Sequence, residues 1–193
     1  MRSKAFEPDQ VADAAMRVFW QRGYAATSIQ DLVDGTGLSR SSLYGTFENK
    51  QGLYRQALRR YQALMSANVQ LVSSDGEPRE LIRQLLMRVA DDELRDPLRR
   101  GCLAANAALE VAGHDDEVAR LVAQHYRRMQ QALEKLIQRG RESGQLRDGP
   151  APRALARFYI NTMQGLRVLS KGSPAAQRRE CLMDVIDVAL AAL

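Results

Sequence analysis

Two groups of residues in this chain have types and spacing that could do chemistry. The first lies between Thr27 and Lys50, where Ser28, Arg40, Ser41, Ser42, Tyr44 and Thr46 gather hydroxyls and a guanidinium around Gly45. Such side chains donate to phosphate oxygens or base edges, and a helix N-terminus itself favours a phosphate. Lys50 follows where a point charge can hold a nucleic-acid backbone. The second is Cys102, which comes directly after Arg99, Arg100 and Gly101 at the expected first turn of a helix. A helix N-terminus and nearby guanidiniums both favour thiolate, the reactive form. A small buried apolar residue that happens to be cysteine is the plainer alternative. Other chemistries have no support. Cys102 and Cys181 make no disulfide framework, and His114 and His125 lack a metal-motif spacing. With no phosphate-binding glycine loop and no visible catalytic triad, the expectation is no metal, no cofactor and no enzyme.

The first group needs two short helices to position it. Thr27 and Gln30 have the capping-box spacing, and Ile29, Leu32 and Val33 repeat at helical intervals. Gly35 and Gly37 permit a sharp reversal, Leu38 tucks under it, and Ser39 is a good N-cap for the next helix. In that second helix Leu43 and Phe47 should pack inward. Arg40, Ser41, Tyr44 and Gly45 then share the opposite face, with Ser42 and Thr46 at its margins. The pattern is that of a helix-turn-helix, although an ordinary corner between two helices has the same spacing. A preceding helix should open near Pro8, bury Val11, Ala14, Ala15, Val18 and Phe19, and end at Gly23.

Together these segments, FWQRGYAATSIQDLVDGTGLSRSSLYGTFENKQGLYRQAL, resemble the N-terminal DNA-binding domain of the TetR family of bacterial transcriptional regulators. The resemblance rests on Phe19, Gly23-Tyr24, Thr27-Ser28-Ile29, Asp31-Leu32, Gly37-Leu38-Ser39, Leu43-Tyr44, Phe47, Lys50 and Leu53, in register without a gap. It implies a dimer that binds a palindromic double-stranded DNA operator through a three-helix head and senses a small molecule through a helical body. It also makes Thr27, Arg40, Ser42, Tyr44 and Lys50 the foremost DNA contacts. The chain departs from many members after the tyrosine, where it has Gly45 and Thr46 instead of a histidine or aromatic residue.

The chain has 193 residues, ample for a head at residues 1–50 and an effector-binding and dimerisation body at 51–193. Aromatics are few and no stretch alternates like a strand, so an all-α fold is expected. The formal net charge of +5 suits a nucleic-acid partner. Within the head the signs nearly cancel: Arg2, Lys4, Arg17, Arg22, Arg40 and Lys50 stand against Glu7, Asp9, Asp13, Asp31, Asp34 and Glu48. Placement must therefore matter more than the total. No apolar run is long enough to span a membrane and the N-terminus lacks a signal-peptide core, so a cytoplasmic location is expected.

A linking helix should run over about 51–72, and its tilt would change the separation of two recognition helices in a dimer. That separation should be about 34–36 Å, one turn of DNA. Body helices follow from near Glu77 to Asp96, from about Asp115 to Ser143, from Arg153 to Ser170, and finally through Leu182 to Leu193. Between the first two, GCLAANAALEVAG leaves almost no polar face and should run through the middle of the body. Asn106 and Glu110 are its strongly polar side chains and need hydrogen-bond partners if buried. Trp20 is expected in the core or between head and body.

The resemblance extends to this region. The GCL opening is similar to a TetR branch that includes electrophile-sensing repressors such as the N-ethylmaleimide regulator, and Lys171 falls where that branch has a lysine near the sensing cysteine. It implies an effector site made of Cys102, Asn106, Tyr126, Phe158, Tyr159, Met163 and Lys171, and a dimer interface made by the last two helices. The expected function is a repressor released from its operator by a small organic or electrophilic effector. A constitutive dimeric DNA binder without an effector and a thiol-based redox protein using Cys102 are the alternatives.

Overall fold

A computed structural model describes residues 7–193, so Arg2 and Lys4 lie outside the described residues. All regular structure among them is helical, as composition and periodicity predict. The chain divides into two compact units.

The first unit holds residues up to Leu64 together with Leu103–Ala123. Helix α1 (Pro8–Arg22) opens on the favourable first-turn proline and stops at Gly23, whose φ of 80° is costly for any residue with a Cβ. Helices α2 (Ile29–Thr36) and α3 (Arg40–Phe47) follow, and α4 (Lys50–Leu64) packs along α1. The core between them is aromatic: Tyr54 meets Phe19 at 4.9 Å and Tyr24 at 4.8 Å between ring centroids, and Trp20 sits edge-on to Tyr61 at 5.0 Å. Burial of Val11, Ala12, Ala15, Met16 and Phe19 gives α1 its inner face; Ala14 and Val18, expected inside, are half-buried at its margin.

Helix α7 (Leu103–Glu110) belongs to this first unit, which corrects the expectation that it runs through the middle of the body. Its burial is one-sided. Leu103, Ala104 and Ala107 are covered, while Ala108 is exposed and Leu109 is 88% exposed. The alanine run marks helix propensity rather than enclosure on all sides.

The boundary between the units also differs from a cut after residue 50, because α4 packs with the head. The expected single linking helix is two: α4 ends at Leu64, and α5 (Ser66–Ser73) restarts after Met65. Asn68 N–H donates to the Met65 carbonyl at 3.1 Å, an i to i+3 bond that tightens the backbone there.

The second unit comprises Met65–Cys102 and Gln124–Leu193. It contains α5, α6 (Pro78–Arg95), the larger part of α8 (Asp116–Glu142), α9 (Pro152–Gly172) and α10 (Arg178–Ala191). Leu81, Ile82, Leu85, Leu86 and Val89 of α6 meet Leu133, Leu136 and Ile137 of α8, Leu155, Tyr159 and Leu166 of α9, and Leu182 and Ile186 of α10 in one core. Among the described residues no helix is long and apolar enough to cross a membrane.

Candidate nucleic-acid interface and effector site

The turn before α2 fixes the interface. Ser28, not Thr27, is the N-cap: its hydroxyl accepts from Asp31 N–H at 3.1 Å, and Asp31 accepts from Ser28 N–H at 2.8 Å. The capping box is therefore one residue later than expected, with Asp31 in the role given to Gln30. Thr27 is buried and donates to the Gly23 carbonyl at 2.6 Å, so it locks the turn from inside instead of joining the outer surface. Gly37 closes α2 in the left-handed conformation at φ 70°, and Ser39 caps α3 by accepting from Ser42 N–H at 3.2 Å.

Helix α3 has the two faces its sequence predicts. Leu43 and Phe47 are buried, while Arg40, Ser41, Gly45 and Thr46 are exposed and Ser42 and Tyr44 are half-buried. Arg40 lies 5.6 Å over the Tyr44 ring, a contact that holds both on the same outer face. Space beside Gly45 is open where a Cβ would project, so a large partner can approach the backbone closely. A γ-turn at Glu48 (φ 64°), closed by Asn49 N–H on the Phe47 carbonyl at 2.7 Å, turns the chain from α3 into α4.

Lys50 opens α4 with its ammonium 4.4 Å over the Tyr24 ring. Burial lowers its pKa, and the carboxylates of Glu110 and Asp31 pull the other way. Four of the head's acids are engaged within the fold: Arg60 donates to Asp13 at 2.7 Å and to Asp9 at 2.9 Å, Arg22 pairs with Asp31 at 3.2 Å, and Gln30 donates to Asp34 at 2.8 Å. These pairings offset part of the head's negative charge within the fold.

Two acids unlike anything singled out for DNA hold α7 and the start of α8 to the head. Glu110, which needed a partner, accepts from Tyr24 N–H at 2.8 Å and Ala25 N–H at 3.2 Å. Asp115 is buried and accepts from Gln51 at 2.6 Å, from Arg55, and from Val118 N–H at 3.1 Å, which caps α8. Sequence spacing could not find this pair, because each partner in the head lies more than fifty residues away.

Of the expected effector residues, Asn106 is half-buried on α7. On α9, Phe158 is 41% exposed, whereas Tyr159 and Met163 are core residues. The Tyr159 hydroxyl donates to the Ala189 carbonyl at 2.9 Å and so ties α9 to α10. These side chains share a helix but not a face, which the tight sequence spacing concealed.

Cys102 is buried directly before α7. Of the arginines before it, Arg100 pairs with Asp96 at 3.1 Å, and Arg99 donates to the carbonyls of Lys171 at 3.3 Å and Ser173 at 3.4 Å. Lys171 thus meets the Cys102 loop through its backbone, with an exposed side chain. Tyr126 is the expected residue that does sense Cys102: burial pushes its hydroxyl up to about 12, with the thiol adding to the rise and Arg167 opposing it. Three residues missed by the sequence reading stand in the same region: Glu93 of α6, Arg167 of α9 and Arg178 of α10. Arg178 is buried and donates to the Glu93 carbonyl at 2.6 Å and the Ser170 hydroxyl at 2.8 Å. No sequence signal separates these buried charges from the exposed ones on the same helices. Cys181 is half-buried on α10 and, like Cys102, is not in a disulfide.

Residues 11–57 match the family described as bacterial regulatory proteins, tetR family, and residues 76–181 match the tetracyclin repressor-like C-terminal domain. The uncharacterized HTH-type transcriptional regulator YezE of Bacillus subtilis (strain 168) is 31% identical, covering 100% of this chain and 98% of its own length. The HTH-type transcriptional repressor ComR of Escherichia coli (strain K12) is 26% identical over 92% of this chain and 85% of its own. A cysteine mutant of the TetR family transcriptional regulator CifR, complexed with 26-base-pair double-strand operator DNA, superposes with a TM-score of 0.84 at 30% identity, covering 99% of each chain.

Proposed function

Because the chain belongs to the TetR family and is a DNA-binding transcriptional regulator, we propose that it is a dimeric repressor released from a palindromic operator by a small effector that acts at Cys102. The observation that carries the DNA half is the outer face of α3, where Arg40, Ser41, Tyr44, Gly45 and Thr46 stand exposed or half-buried on a doubly capped helix-turn-helix. Arg40 and Tyr44 read base edges, Ser28, Ser41, Ser42 and Thr46 donate to phosphates or bases, and Lys50 supplies charge to the backbone. Thr27 contributes by holding the turn. ComR is a repressor by name and CifR was captured on its operator, which supports repression as the outcome.

Dimerisation is supported by one stripe on α9. Ala154, Phe158, Asn161 and Val168 are exposed at helical spacing, with the half-buried Gly165 between them and open space beside it. On α10, Val188 is 72% exposed. A glycine-centred, mainly apolar stripe suits close packing against a second copy, and a two-fold dimer matches a palindromic site.

Effector action at Cys102 is supported by its burial beside ionisable groups at the point where α7 begins. The other end of α7 is Glu110, which holds the Tyr24–Ala25 turn in front of the helix-turn-helix. An adduct at Cys102 favours whichever position of α7 accommodates it, and release requires that position to bind DNA less well. A Tyr44→Ala variant tests the DNA assignment. It should lose operator affinity by about ten- to a hundred-fold, the range of a lost base contact, while keeping its helical content. Unchanged affinity in the folded variant removes α3 from the groove.

A further inference from the structure

The chain's excess of positive charge does not lie in the head. Residues 1–50 carry six lysines and arginines and six aspartates and glutamates, whereas residues 124–157 carry eight against three, an excess equal to the net charge of +5 of the whole chain. That stretch belongs to the second unit. On α8, Gln124, Arg127, Arg128, Gln131, Lys135 and Gln138 are exposed at intervals of one turn and so share one outer face. Arg153 and Arg157, both exposed, stand one turn apart on α9. Arg157 Nε donates to Gln130 Oε1 of α8 at 3.3 Å, which joins the second basic pair to the edge of the first face.

A solvated helix ordinarily mixes its signs, so that a cation finds a carboxylate one turn away. The protein does this elsewhere, pairing Arg83 with Glu80, Arg100 with Asp96 and Arg120 with Glu117. Arg127, Arg128, Lys135, Arg153 and Arg157 have no acid three or four residues away in either direction, and around the α8 cations glutamine recurs where one would stand. Among the described residues none of the five is in an ion pair. Of the acids in this stretch, Glu134 is half-buried at the margin of the α8 face, and Glu142 closes its far end, where it accepts from Gln138 at 2.9 Å. Asp148 lies beyond α8, in the loop before α9. Like charges gathered in this way repel one another until a polyanion covers them.

We propose that this face of α8 and α9 binds the phosphate backbone of duplex DNA without reading its sequence, as a second DNA surface in addition to α3. Charge complementarity selects a polyanion, and the residue types select a duplex. Guanidiniums take phosphates bidentately, and glutamine amides donate to them. Arg127 to Lys135 span about 12 Å of helix axis, a length over which duplex DNA presents about seven phosphate charges. The exposed residues of the α8 face include no aromatic ring on which single-stranded bases could stack and no apolar side chain to enter a membrane. A regulator seated on an operator through α3 thus keeps a surface for a second duplex. The proposal rests on the reading of α3 as the operator-binding helix, and not on dimerisation or on Cys102.

The test loads the full chain onto immobilised DNA flanking its own coding region, rinses it, and offers a fluorescent duplex of about 30 base pairs of unrelated sequence. Wild type should capture the second duplex at 50 mM salt, with affinity falling about 500-fold by 200 mM, as five phosphate contacts require. The triple variant Arg127→Gln, Arg128→Gln, Lys135→Gln changes only exposed side chains, so its helical content and its loading should match wild type. Its salt slope for capture should fall by about three, and that of the double variant Arg153→Gln, Arg157→Gln by about two. No capture by wild type, an unchanged slope in the triple variant, or capture of phosphatidylserine vesicles in preference to the duplex overturns the proposal. A protein that does not load sinks the reading of α3 instead. The same variants titrated with free duplex by fluorescence anisotropy then decide the second surface: a slope lowered by about three supports it, and an unchanged slope overturns it.

Discussion

Replacing Asp115 with asparagine keeps the shape of the side chain and the oxygen that caps α8, but removes its charge. In the wild type Oδ2 accepts from Gln51 at 2.6 Å and from Arg55 Nε at 3.2 Å, while Oδ1 accepts from Arg55, Glu117 N–H and Val118 N–H, and the Asp115 side chain is 1% exposed. The amide of the Asp115→Asn variant would turn an NH2 group toward the Gln51 and Arg55 donors and leave a guanidinium without its counter-charge. Breaking a buried pair from one side costs about 3–5 kcal/mol. Because the Arg55 side chain is 35% exposed, water recovers part of this, and about 2–3 kcal/mol is the expected loss. For a chain of this size that lowers Tm by about 4–12 °C. Circular dichroism melts of both proteins from pH 7 down to pH 3 give the assay. Burial raises the Asp115 carboxyl, but hydrogen bonds from Val118 N–H, Arg55 and Gln51 and the Arg55 charge outweigh it, so the folded pKa lies below 3.8. The stabilisation is then present above the unfolded value and lost as pH falls through the folded one. The gap between the two melts should accordingly be widest at neutral pH and close in acid. A neutral-pH loss under about 1 °C, too small for any buried pair, or a gap that widens in acid, refutes the reasoning.

Further outcomes follow from the same geometry. Gly52→Ala should destabilise the protein by about 1–3 kcal/mol despite alanine's better helix propensity, since the added Cβ would run into the Phe47 carbonyl; a denaturant midpoint equal to wild type contradicts the tight α3–α4 turn. Lys50→Ala should weaken binding to all DNA sequences and reduce the salt slope by about one; an unchanged slope in a salt titration takes Lys50 off the phosphates. Val168→Glu, placing a charge on the open stripe of α9, should shift the protein from dimer to monomer in sedimentation velocity without loss of helix. A variant that remains dimeric puts the interface elsewhere.

The head was legible from sequence because its information is local. Capping residues, glycines at a reversal and apolar pairs one turn apart specify α1 to α3, and the inward Leu43 and Phe47 settle which side of α3 is outer. The one-residue error at Thr27 arose because threonine and serine adjoin and both can cap. Only the burial of Thr27 against Gly23 separates them. The body was less legible where tertiary partners decide. Glu110 and Asp115 assign α7 to the first unit through contacts that no periodicity encodes, and an alanine-rich stretch reads as central whether or not anything surrounds it. In the same way Phe158, Tyr159 and Met163 read as one cavity until burial separates Phe158 from the other two. Glu93 and Arg167 were invisible as a pair because ordinary surface glutamates and arginines outnumber buried ones in any helix of this composition.

The most direct measurement is binding to the DNA flanking the protein's own coding region, by fluorescence anisotropy, with and without N-ethylmaleimide, for wild type and Cys102→Ser. Specific binding by both proteins, with release by the reagent in wild type alone, is the predicted result. Specific binding that the reagent leaves untouched in wild type, or disrupts equally in Cys102→Ser, contradicts a repressor gated at Cys102.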